Sequence, residues 1–353
     1  MKKGKVLIGM SGGIDSTVSA MLLLEQGYEL VGCTFRTFDS IKESCLAREK
    51  GCCSVESIME ARNMAKQLGF EHHIVDFRDI FEREVIGNFV SEYLHGRTPN
   101  PCVLCNSHIK WGELVRVADE YGCDYIATGH YARIEKRDGQ YFLRRAVDEK
   151  KDQTYFLWML TEDNLKRTIF PLGGYTKQQV RQLAAERGHV KLSQKTESQD
   201  ICFIPNGDYR SFLLSQKQAA CSKAFESGTY IDSSGSSIGK HEGFANYTIG
   251  QRKGLGVALG YPAFVTRIDT ERNEVELGRR EDLERRDVKV KEGFFRGDVN
   301  KPVMAQIRYR SKPSLARYEN GKLTFEEPVW AVTPGQSAVM YQDDLLVGGG
   351  LIE

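Results

Sequence analysis

Residues 8–17, Ile-Gly-Met-Ser-Gly-Gly-Ile-Asp-Ser-Thr, constrain the fold of this chain more than any other segment. The apolar run at 6–8 predicts a short buried strand, and Ser11-Gly12-Gly13 predicts the turn that follows it. Residues 15–17 then open a pattern of apolar residues at helical spacing. A glycine-rich turn leading into a helix leaves backbone N–H groups unpaired, and the helix dipole adds about half a positive charge there. The segment therefore predicts a site that binds phosphate oxygens.

This motif differs from the two commonest phosphate-binding loops. It lacks the Gly-Lys-Ser/Thr ending of nucleoside-triphosphate loops, and the Gly-x-Gly-x-x-Gly pattern of dinucleotide sites cannot be aligned to it. Residues 11–16, Ser-Gly-Gly-Ile-Asp-Ser, resemble the pyrophosphate loop of ATP pyrophosphatases, which cleave ATP between its α and β phosphates to adenylate a substrate. A strand-turn-helix corner with serine caps and no ligand is the alternative interpretation.

The first 130 residues alternate short apolar runs with helical patterns. Alternation of this kind favours parallel pairing, so we expect an α/β fold with a doubly wound parallel sheet. Ligands of such sheets bind beyond the carboxyl ends of the strands. Gly9-Met10-Ser11 and Thr128-Gly129-His130 both fall at such ends, and one cleft can therefore hold a triphosphate and its co-substrate. The predicted strands are 29–35, 73–75 and 124–128 besides the first, and the predicted helices are 54–68, 81–94 and 105–121.

A chain of 353 residues exceeds one typical domain, and the pattern changes along it. Helices are predicted at 153–160, 162–168 and 177–187, followed by a loop at 190–207. After Gly228, turn signals separate short β-rich runs at 264–268, 274–277 and 329–332, which is typical of small antiparallel barrels or sandwiches. We predict three domains, namely an α/β catalytic domain with a helical extension at 1–205, a central β-rich domain at 206–275 and a C-terminal β-barrel domain at 276–353.

The composition is that of an ordinary globular protein with a net charge of +1, so binding through a strongly basic domain is not expected. No apolar run approaches the 18 residues of a membrane span. The first predicted strand begins by Lys5, which leaves no room for a signal or transit peptide. Nine cysteines without a secretory signal indicate a reducing cytoplasm, where cysteines are reactive, metal-binding or simply buried.

Three cysteines stand where chemistry is expected. Pro99 and Pro101 predict a stiff loop before Cys102, and this loop would deliver Cys105 to the start of a helix, where a thiolate is favoured. Cys202 follows a polar loop, from which a thiol could approach a reactive centre. By spacing alone, Cys102 and Cys105 could instead be half of a zinc site.

The remaining cysteines are predicted to play no chemical part. Cys33 in a strand and Cys123 at a helix end are expected to be small buried apolar residues. We regard the others as incidental: Cys45, Cys52, Cys53 and Cys221.

Together these residues closely resemble the bacterial tRNA-specific 2-thiouridylases, which replace O2 of the wobble uridine 34 with sulfur. The resemblance spans essentially the whole chain, and eight sequence blocks occur in the order that the family has them. The blocks are residues 9–16, 98–106, 127–133, 151–157, 200–204, 247–254, 308–310, and 333–336 with the Gly348-Gly349-Gly350 tail.

The resemblance implies that ATP adenylates O2 of the uracil, which turns a poor leaving group into part of AMP. The loop would hold the departing pyrophosphate with fixed backbone donors. Magnesium is the usual charge partner of such phosphates, and Asp15 is a candidate to orient it. The residues assigned to the nucleotide are Gly9, Met10, Ser11, Gly12, Gly13, Ile14, Asp15, Ser16, Phe35 and Gly129, with Phe35 at the adenine-contacting position that is usually methionine.

The resemblance also implies a sulfur route. Cys202 aligns with the cysteine that carries a persulfide, and Cys105 with the second cysteine, which would release the transferred sulfur and leave a Cys105–Cys202 disulfide. Many family members have Asn-Pro-Asp where this chain has Asn100-Pro101-Cys102, so a proposed carboxylate base is absent. Cys102, Cys105 and Cys202 could instead bind a [4Fe–4S] cluster with one open iron.

The implied partners are the anticodon arm of the tRNAs for glutamate, glutamine and lysine, and a sulfur-donor protein. Asn100, Pro101 and Cys102 would meet the extruded uridine. Arg308 and Arg310 would share one side of a presumed strand, and this side could either bind phosphates or simply face solvent. The other positions that match tRNA-contacting residues of the family are His130, Lys151, Asp152, Gln153, Arg308, Tyr309 and Gln336.

Two other functions stay open at this point. An ATP pyrophosphatase that adenylates a small molecule would share the loop, although the β-rich half with its Gln251-Arg252-Lys253 loop argues against it. A non-catalytic RNA-binding or redox module would need neither the intact loop nor the separated thiols.

Overall fold

The structure is a computed structural model, and it describes residues 3–38, 55–195, 201–204, 207–216 and 222–353. The chain forms two compact units, the first made of residues 1–85, 102–207 and 344–346 and the second of 86–101, 208–343 and 347–353. The division into three domains stays a prediction. Cys45, Cys52, Cys53 and Cys221 lie outside the described residues.

A parallel sheet of five strands in the order β3-β2-β1-β4-β7 forms the first unit, and it confirms the predicted α/β fold class. Its central strand is β1, whose Val6, Leu7 and Ile8 are completely buried because helices cover both faces of such a sheet. This unit also contains an antiparallel hairpin, β5–β6, outside the parallel sheet. The strands of this unit are β1 Lys5–Gly9, β2 Glu29–Arg36, β3 Glu71–Asp76, β4 Tyr125–Ala127, β5 Arg133–Arg137, β6 Gln140–Arg144 and β7 Thr168–Ile169.

The helices follow the predicted pattern in the first half of the chain, with differences in detail. The run predicted at 81–94 begins at Arg78 and includes a π-helical turn at Glu82–Ile86, and the run predicted at 105–121 begins at Pro101 and is π-helical over Cys105–Glu113. The α-helices are α1 Ile14–Glu25, α2 Val55–Leu68, α3 Arg78–Phe81, α4 Gly87–Leu94, α5 Pro101–Leu104, α6 Leu114–Glu120, α7 Glu162–Lys166, α8 Lys177–Glu186, α9 Val190–Ser193 and α10 Tyr209–Leu214.

Four local predictions were wrong. The predicted loop at 190–207 begins with a short helix, α9 at Val190–Ser193. Only one 3₁₀ turn, Thr154–Phe156, forms within the predicted helix 153–160. The predicted helix 162–168 ends at Lys166 because Thr168 pairs with Ile126 as strand β7, and a strand of two residues is too short for any periodicity to show. The hairpin β5–β6 was not foreseen, although its turn residues Asp138 and Gly139 have the positive φ angles of a tight hairpin, 50° and 84°.

Two sheets make up the β-rich part of the second unit. The smaller one has the order β10-β11-β8-β9 and includes one parallel pair, β11 with β8, so it is not purely antiparallel. The larger one, β12-β15-β14-β13-β16-β17, closes into a barrel because β12 also pairs with β17. The strands are β8 Gly228–Ile231, β9 Ser237–His241, β10 Phe264–Asp269, β11 Glu274–Gly278, β12 Glu284–Phe295, β13 Val303–Gln306, β14 Ser314–Glu319, β15 Lys322–Trp330, β16 Ser337–Gln342 and β17 Leu345–Ile352.

The barrel closes where glycines allow it. A Cβ on Gly348 would lie 2.8 Å from the Phe294 carbonyl oxygen, and one on Gly350 would lie 2.4 Å from Val290 Cγ1. Since real Cβ atoms do not approach so closely, only glycine permits β17 to lie this near to β12.

The predicted strand around Arg308 is wrong. β13 ends at Gln306, and the chain then turns, with Ser311 N–H bonded to the Arg308 carbonyl at 3.1 Å and Arg310 at a φ of 64°. The alternation that would have placed Arg308 and Arg310 on one side of a strand does not exist, because turn hydrogen bonds replace the ladder. None of the helices in the described ranges is long and apolar enough to cross a membrane.

Candidate active site

The loop after β1 is held in shape by Ser16. Its Oγ accepts a hydrogen bond from Ser11 N–H at 3.2 Å and lies 3.2 Å from the Gly13 carbonyl, to which it donates. Gly12 has a φ of 69°, and Gly13 precedes the first helical residue, Ile14. The first N–H groups of α1 have no partner within the helix, so the loop presents donors to an anion.

Two glycines bring neighbouring segments against this loop. A Cβ on Gly12 would lie 2.5 Å from the Ser57 carbonyl oxygen of α2, and one on Gly129 would lie 2.8 Å from Ser16 N. Gly129 follows β4, so the segment after β4 packs directly on the first turn of α1. The two segments predicted to fall at the same sheet edge therefore touch each other. A cradle of backbone atoms, too narrow for a side chain at either glycine, is the geometry that a phosphate loop requires.

Met10 and Phe35 lie at the same edge. A Cβ on Gly9 would lie 3.7 Å from the Phe35 ring, which in turn packs on Phe77 with ring centroids 5.4 Å apart. Met10 is buried, and its carbonyl accepts a hydrogen bond from Thr34 Oγ1 at 2.7 Å.

His72 supports the loop through Thr34, and the sequence analysis did not single it out. Thr34 uses its only hydroxyl proton on Met10, so its contact of 2.8 Å with His72 Nε2 requires that this ring nitrogen donate. Burial, assisted by the neighbouring His73 and Arg62, lowers the pKa of His72 to about 4. The ring is therefore neutral at pH 7 and fixed in one tautomer.

Asp15 is engaged by two side chains that the sequence analysis did not single out. Lys177 Nζ, on a nearly buried side chain, lies 2.8 Å from each carboxylate oxygen, and Tyr131 donates its hydroxyl to Oδ1 at 2.8 Å. Among the described residues, no group of three or more His, Cys, Asp or Glu side chains is arranged to hold a metal ion. Asp15 thus has a lysine partner where a magnesium ligand was expected.

Residues 97–100 form the predicted loop, but the helix that follows begins earlier than predicted. Proline is well suited to the first position of a helix, and α5 begins at Pro101, so Cys102 lies in its first turn and Cys105 at the start of the π-helical segment that follows. Cys105 is consequently one turn inside a helical run rather than at its start. Cys33 and Cys123 are buried, as predicted.

Cys102, Cys105 and Cys202 all belong to the first unit. Cys102 and Cys202 are exposed and Cys105 is partly so. In the described part of the chain, these three side chains are not grouped as metal ligands. Cys102 and Cys105, the possible half of a zinc site, likewise belong to no group of three or more potential ligands there.

Cys202 is anchored beside the end of β2. It lies in a turn in which Ile204 N–H bonds the Ile201 carbonyl at 3.0 Å. The next residue, Phe203, is 1% exposed, and its ring packs on Phe81 and Phe38 at centroid distances of 5.6 and 6.4 Å. Because Phe38 follows β2, this anchor holds the thiol segment at the carboxyl edge of the sheet.

The segment with Cys102 and Cys105 is tied to the same edge through Lys110. Lys110 Nζ lies 3.4 Å from His130 Nε2, and His130 follows β4. A lysine ammonium can only donate, so Nε2 accepts, and Nδ1 carries the proton that it gives to Thr128 Oγ1 at 2.8 Å. Burial and then Lys110 hold the pKa of His130 well below its usual value.

Two residues predicted to contact RNA, Asp152 and Gln153, accept hydrogen bonds from other residues of the first unit. Asp152 accepts hydrogen bonds from Ala146 N–H at 2.8 Å and from Thr154 Oγ1 at 2.7 Å, and burial raises its pKa. Gln153 Oε1 accepts from Tyr131 N–H at 2.9 Å. Both residues therefore shape the loop that they lie on.

The other positions are distributed over both units. Lys151 is half-buried in the first unit, whereas Asn100, Arg308 and Tyr309 are half-buried in the second. In the second unit Gln336 Nε2 donates to the carbonyls of Thr98 at 2.8 Å and Pro99 at 3.1 Å, so it fixes the backbone just before Asn100 and Pro101.

Comparison with known proteins covers almost the full chain. Three family models match in order, described as a tRNA methyl transferase HUP domain at residues 4–206, a tRNA methyl transferase PRC-barrel domain at 221–279 and an aminomethyltransferase β-barrel domain at 289–352.

Curated relatives match from end to end. The tRNA-specific 2-thiouridylase MnmA of Cytophaga hutchinsonii is 46% identical over 100% of this chain and 98% of its own length. Those of Amoebophilus asiaticus and Clostridium acetobutylicum are 46% and 45% identical, over 100% and 99% of this chain and 96% and 99% of their own lengths. On this similarity, the chain belongs to the tRNA-specific 2-thiouridylase family.

Proposed function

We propose that this tRNA-uridine 2-sulfurtransferase adenylates O2 of uridine 34 at the loop of residues 9–16 and then delivers sulfur through Cys202 and Cys105. One observation supports the scheme most. The phosphate loop, the anchor of Cys202 and the contact that ties down the Cys102–Cys105 segment all lie at the carboxyl edge of one parallel sheet. This edge is where ligands of such sheets bind.

In the first step, uracil O2 attacks the α-phosphorus of ATP, and the bond to the β-phosphate bridging oxygen breaks. The N–H groups of the loop stabilise the charge that develops on the leaving pyrophosphate. Gly9, Met10, Ser11, Gly12, Gly13, Ile14, Asp15, Ser16, Phe35 and Gly129 are the nucleotide residues in this proposal. Because the Asp15 carboxylate forms an ion pair with Lys177, we assign magnesium no protein ligand and derive no step through it.

In the second step, the outer sulfur of a Cys202 persulfide attacks C2, and AMP leaves with the former O2. The Cys105 thiolate then attacks the inner Cys202 sulfur and breaks the sulfur–sulfur bond. The transferred atom stays on the base, and a Cys105–Cys202 disulfide forms, which an external two-electron reductant reopens. The persulfide sulfur comes from a donor protein. Since the three cysteines are not grouped as metal ligands, we derive no step through a [4Fe–4S] cluster.

The proposed substrates are the glutamate, glutamine and lysine tRNAs, bound by their anticodon arms in the cytoplasm. Asn100, Pro101 and Cys102 would meet the extruded uridine, with His130 supplying a neutral imidazole beside it. Lys151, Asp152, Gln153, Arg308, Tyr309 and Gln336 complete the proposed RNA contacts, some directly and some by shaping their loops.

The test is mass analysis of wobble nucleosides from cells that lack the protein and carry a variant gene. Cys202→Ser and Cys105→Ser should abolish 2-thiouridine, whereas Cys102→Ser should retain part of it. Loss of 2-thiouridine with Cys102→Ser, together with iron and sulfide in anaerobically purified protein, would favour the cluster instead.

A second assay separates the competing functions. Purified protein should convert ATP to AMP and pyrophosphate faster when anticodon stem-loop RNA is added. A rate of ATP conversion that RNA does not change would favour an enzyme that adenylates a small molecule. RNA binding without ATP conversion would favour a binding module.

A further inference from the structure

The second unit exposes one tryptophan between two arginines. Trp330, at the end of β15, is 37% exposed, whereas Trp111 and Trp158 are at most 2% exposed. The guanidinium carbon of Arg308 lies 4.7 Å from the centre of the Trp330 ring, and that of Arg280 lies 5.3 Å from it. Both distances are within the range of a cation–π contact.

A basic loop begins beside this tryptophan. Gly250 has a φ of 85°, and a Cβ on it would lie 2.5 Å from Ala331 Cβ and 3.8 Å from the Trp330 ring. The loop continues through Arg252 and Lys253, whose side chains are exposed. Trp330 therefore lies where the basic loop, the turn after β13 and the segment after β11 meet.

Positive charge exceeds negative charge at this place. The cations are Arg252, Lys253, Arg280 and Arg308. The same segments add the cations Arg279 and Arg310. Their carboxylates are Glu281 and Asp282, which follow Arg280, and Glu284, which faces Trp330 in the β12–β15 ladder. The surface thus keeps a positive excess in a chain whose net charge is only +1.

The chemistry of the group narrows its ligand. A guanidinium presents a planar fork of donors that matches phosphate, and stacking on an aromatic ring restricts the side chain before it binds. Two such groups at one ring suit consecutive phosphates of a polyanion better than a single small anion. Resting on the proposed tRNA substrate and on Arg308 as one of its contacts, we propose that Arg280 and the 250–254 loop also bind the phosphate backbone of the substrate RNA. Trp330 is the residue that positions the guanidinium groups of Arg280 and Arg308.

Two variants of the full-length protein test the contact. Arg280→Ala should weaken binding of unmodified substrate tRNA several-fold and reduce the slope of log K against log salt by about one. Arg280→Lys should restore the salt slope but only part of the affinity, because lysine keeps the charge and loses the fork. Arg272→Ala, an exposed arginine of the β10–β11 turn in the same unit, is the matched control and should bind as the unchanged protein does.

Trp330 provides a separate readout because it is the exposed one of the three tryptophans of the chain. Bound tRNA should protect its fluorescence from acrylamide, and Trp330→Phe should remove the quenchable component. Trp330→Leu, at unchanged melting temperature, should raise KM for tRNA while leaving kcat and KM for ATP near their original values.

The outcomes separate this inference from the proposed function. Suppose that the unchanged protein binds and thiolates tRNA, but Arg280→Ala keeps the affinity and the salt slope, and tRNA does not change the quenching of Trp330. The proposed contact at Arg280 and Trp330 is then wrong, and the enzyme assignment stands. If the unchanged protein binds no tRNA, both are wrong.

Discussion

Lys177 and Asp15 are 162 positions apart in the chain, yet the lysine ammonium lies 2.8 Å from both oxygens of the aspartate. The carboxylate lies at the second residue of α1, next to the N–H groups that would meet phosphate. A free carboxylate there would repel an anionic ligand. Lys177 removes that repulsion, and Tyr131, whose ring lies 5.8 Å from the ammonium, holds the carboxylate from another side.

Replacing the lysine should therefore weaken nucleotide binding. Lys177→Met leaves the Asp15 charge uncompensated, and we expect KM for ATP to rise about tenfold and the free energy of unfolding to fall by about 2 kcal/mol. Adding Asp15→Asn should recover part of the stability, and Lys177→Arg should behave nearly as the original. ATP titration and urea unfolding measure both quantities. An unchanged KM in Lys177→Met would show that the pair does not serve the nucleotide.

The close approach of Gly129 to α1 gives a second prediction. Gly129→Ala would place a methyl group 2.8 Å from Ser16 N, so either the helix start or the loop after β4 must move. We expect a loss of about 1–3 kcal/mol in the free energy of unfolding, together with weaker ATP binding.

Gly174→Ala is the control for this steric test, because nothing lies within 4 Å of its Cβ position. Thermal unfolding and ATP binding should barely change in that variant. Equal behaviour of the two alanine variants would contradict the tight packing at Gly129.

His72 should make stability depend on pH. Its pKa is about 4 in the folded protein against an ordinary value of 6.5, so between these limits the unfolded chain binds a proton that the folded chain does not. The free energy of unfolding is therefore not reduced by His72 above pH 6.5, and it falls as the pH is lowered towards 4. His72→Gln keeps a donor for Thr34 and cannot titrate. Urea unfolding at pH 4.5 and 7 should show a smaller loss for the variant, and equal losses would refute the assignment.

Thiol accessibility should separate the cysteines. In the native protein an aromatic disulfide reagent should reach Cys102, Cys105 and Cys202, whereas Cys33 and Cys123 should react only after unfolding because they are buried. After one turnover without reductant, mass mapping should show Cys105 and Cys202 joined and Cys102 still free. Finding Cys102 in the bridge instead would reverse the proposed roles.

Local sequence was enough wherever neighbours in the chain decide the structure. The apolar run at 6–8, the Gly12-Gly13 turn and the helical spacing after it predicted β1, the loop and α1, because strand burial, positive φ and helix periodicity are properties of a few consecutive residues. The alternation of strands and helices likewise predicted the parallel sheet. The family resemblance followed from motif order along the whole chain.

The sequence alone determined the fold class, the turn between β1 and α1, and the family, since each depends on short patterns or on their order. Tertiary structure decided which distant groups meet: Lys177 on Asp15, His72 on Thr34, Phe203 on Phe38, and two arginines around Trp330. It also made a strand of Thr168–Ile169 and a turn of Arg308. The reason is physical. A side-chain pair or a ladder partner forms only after chain segments far apart in sequence have packed, and no local preference encodes that approach.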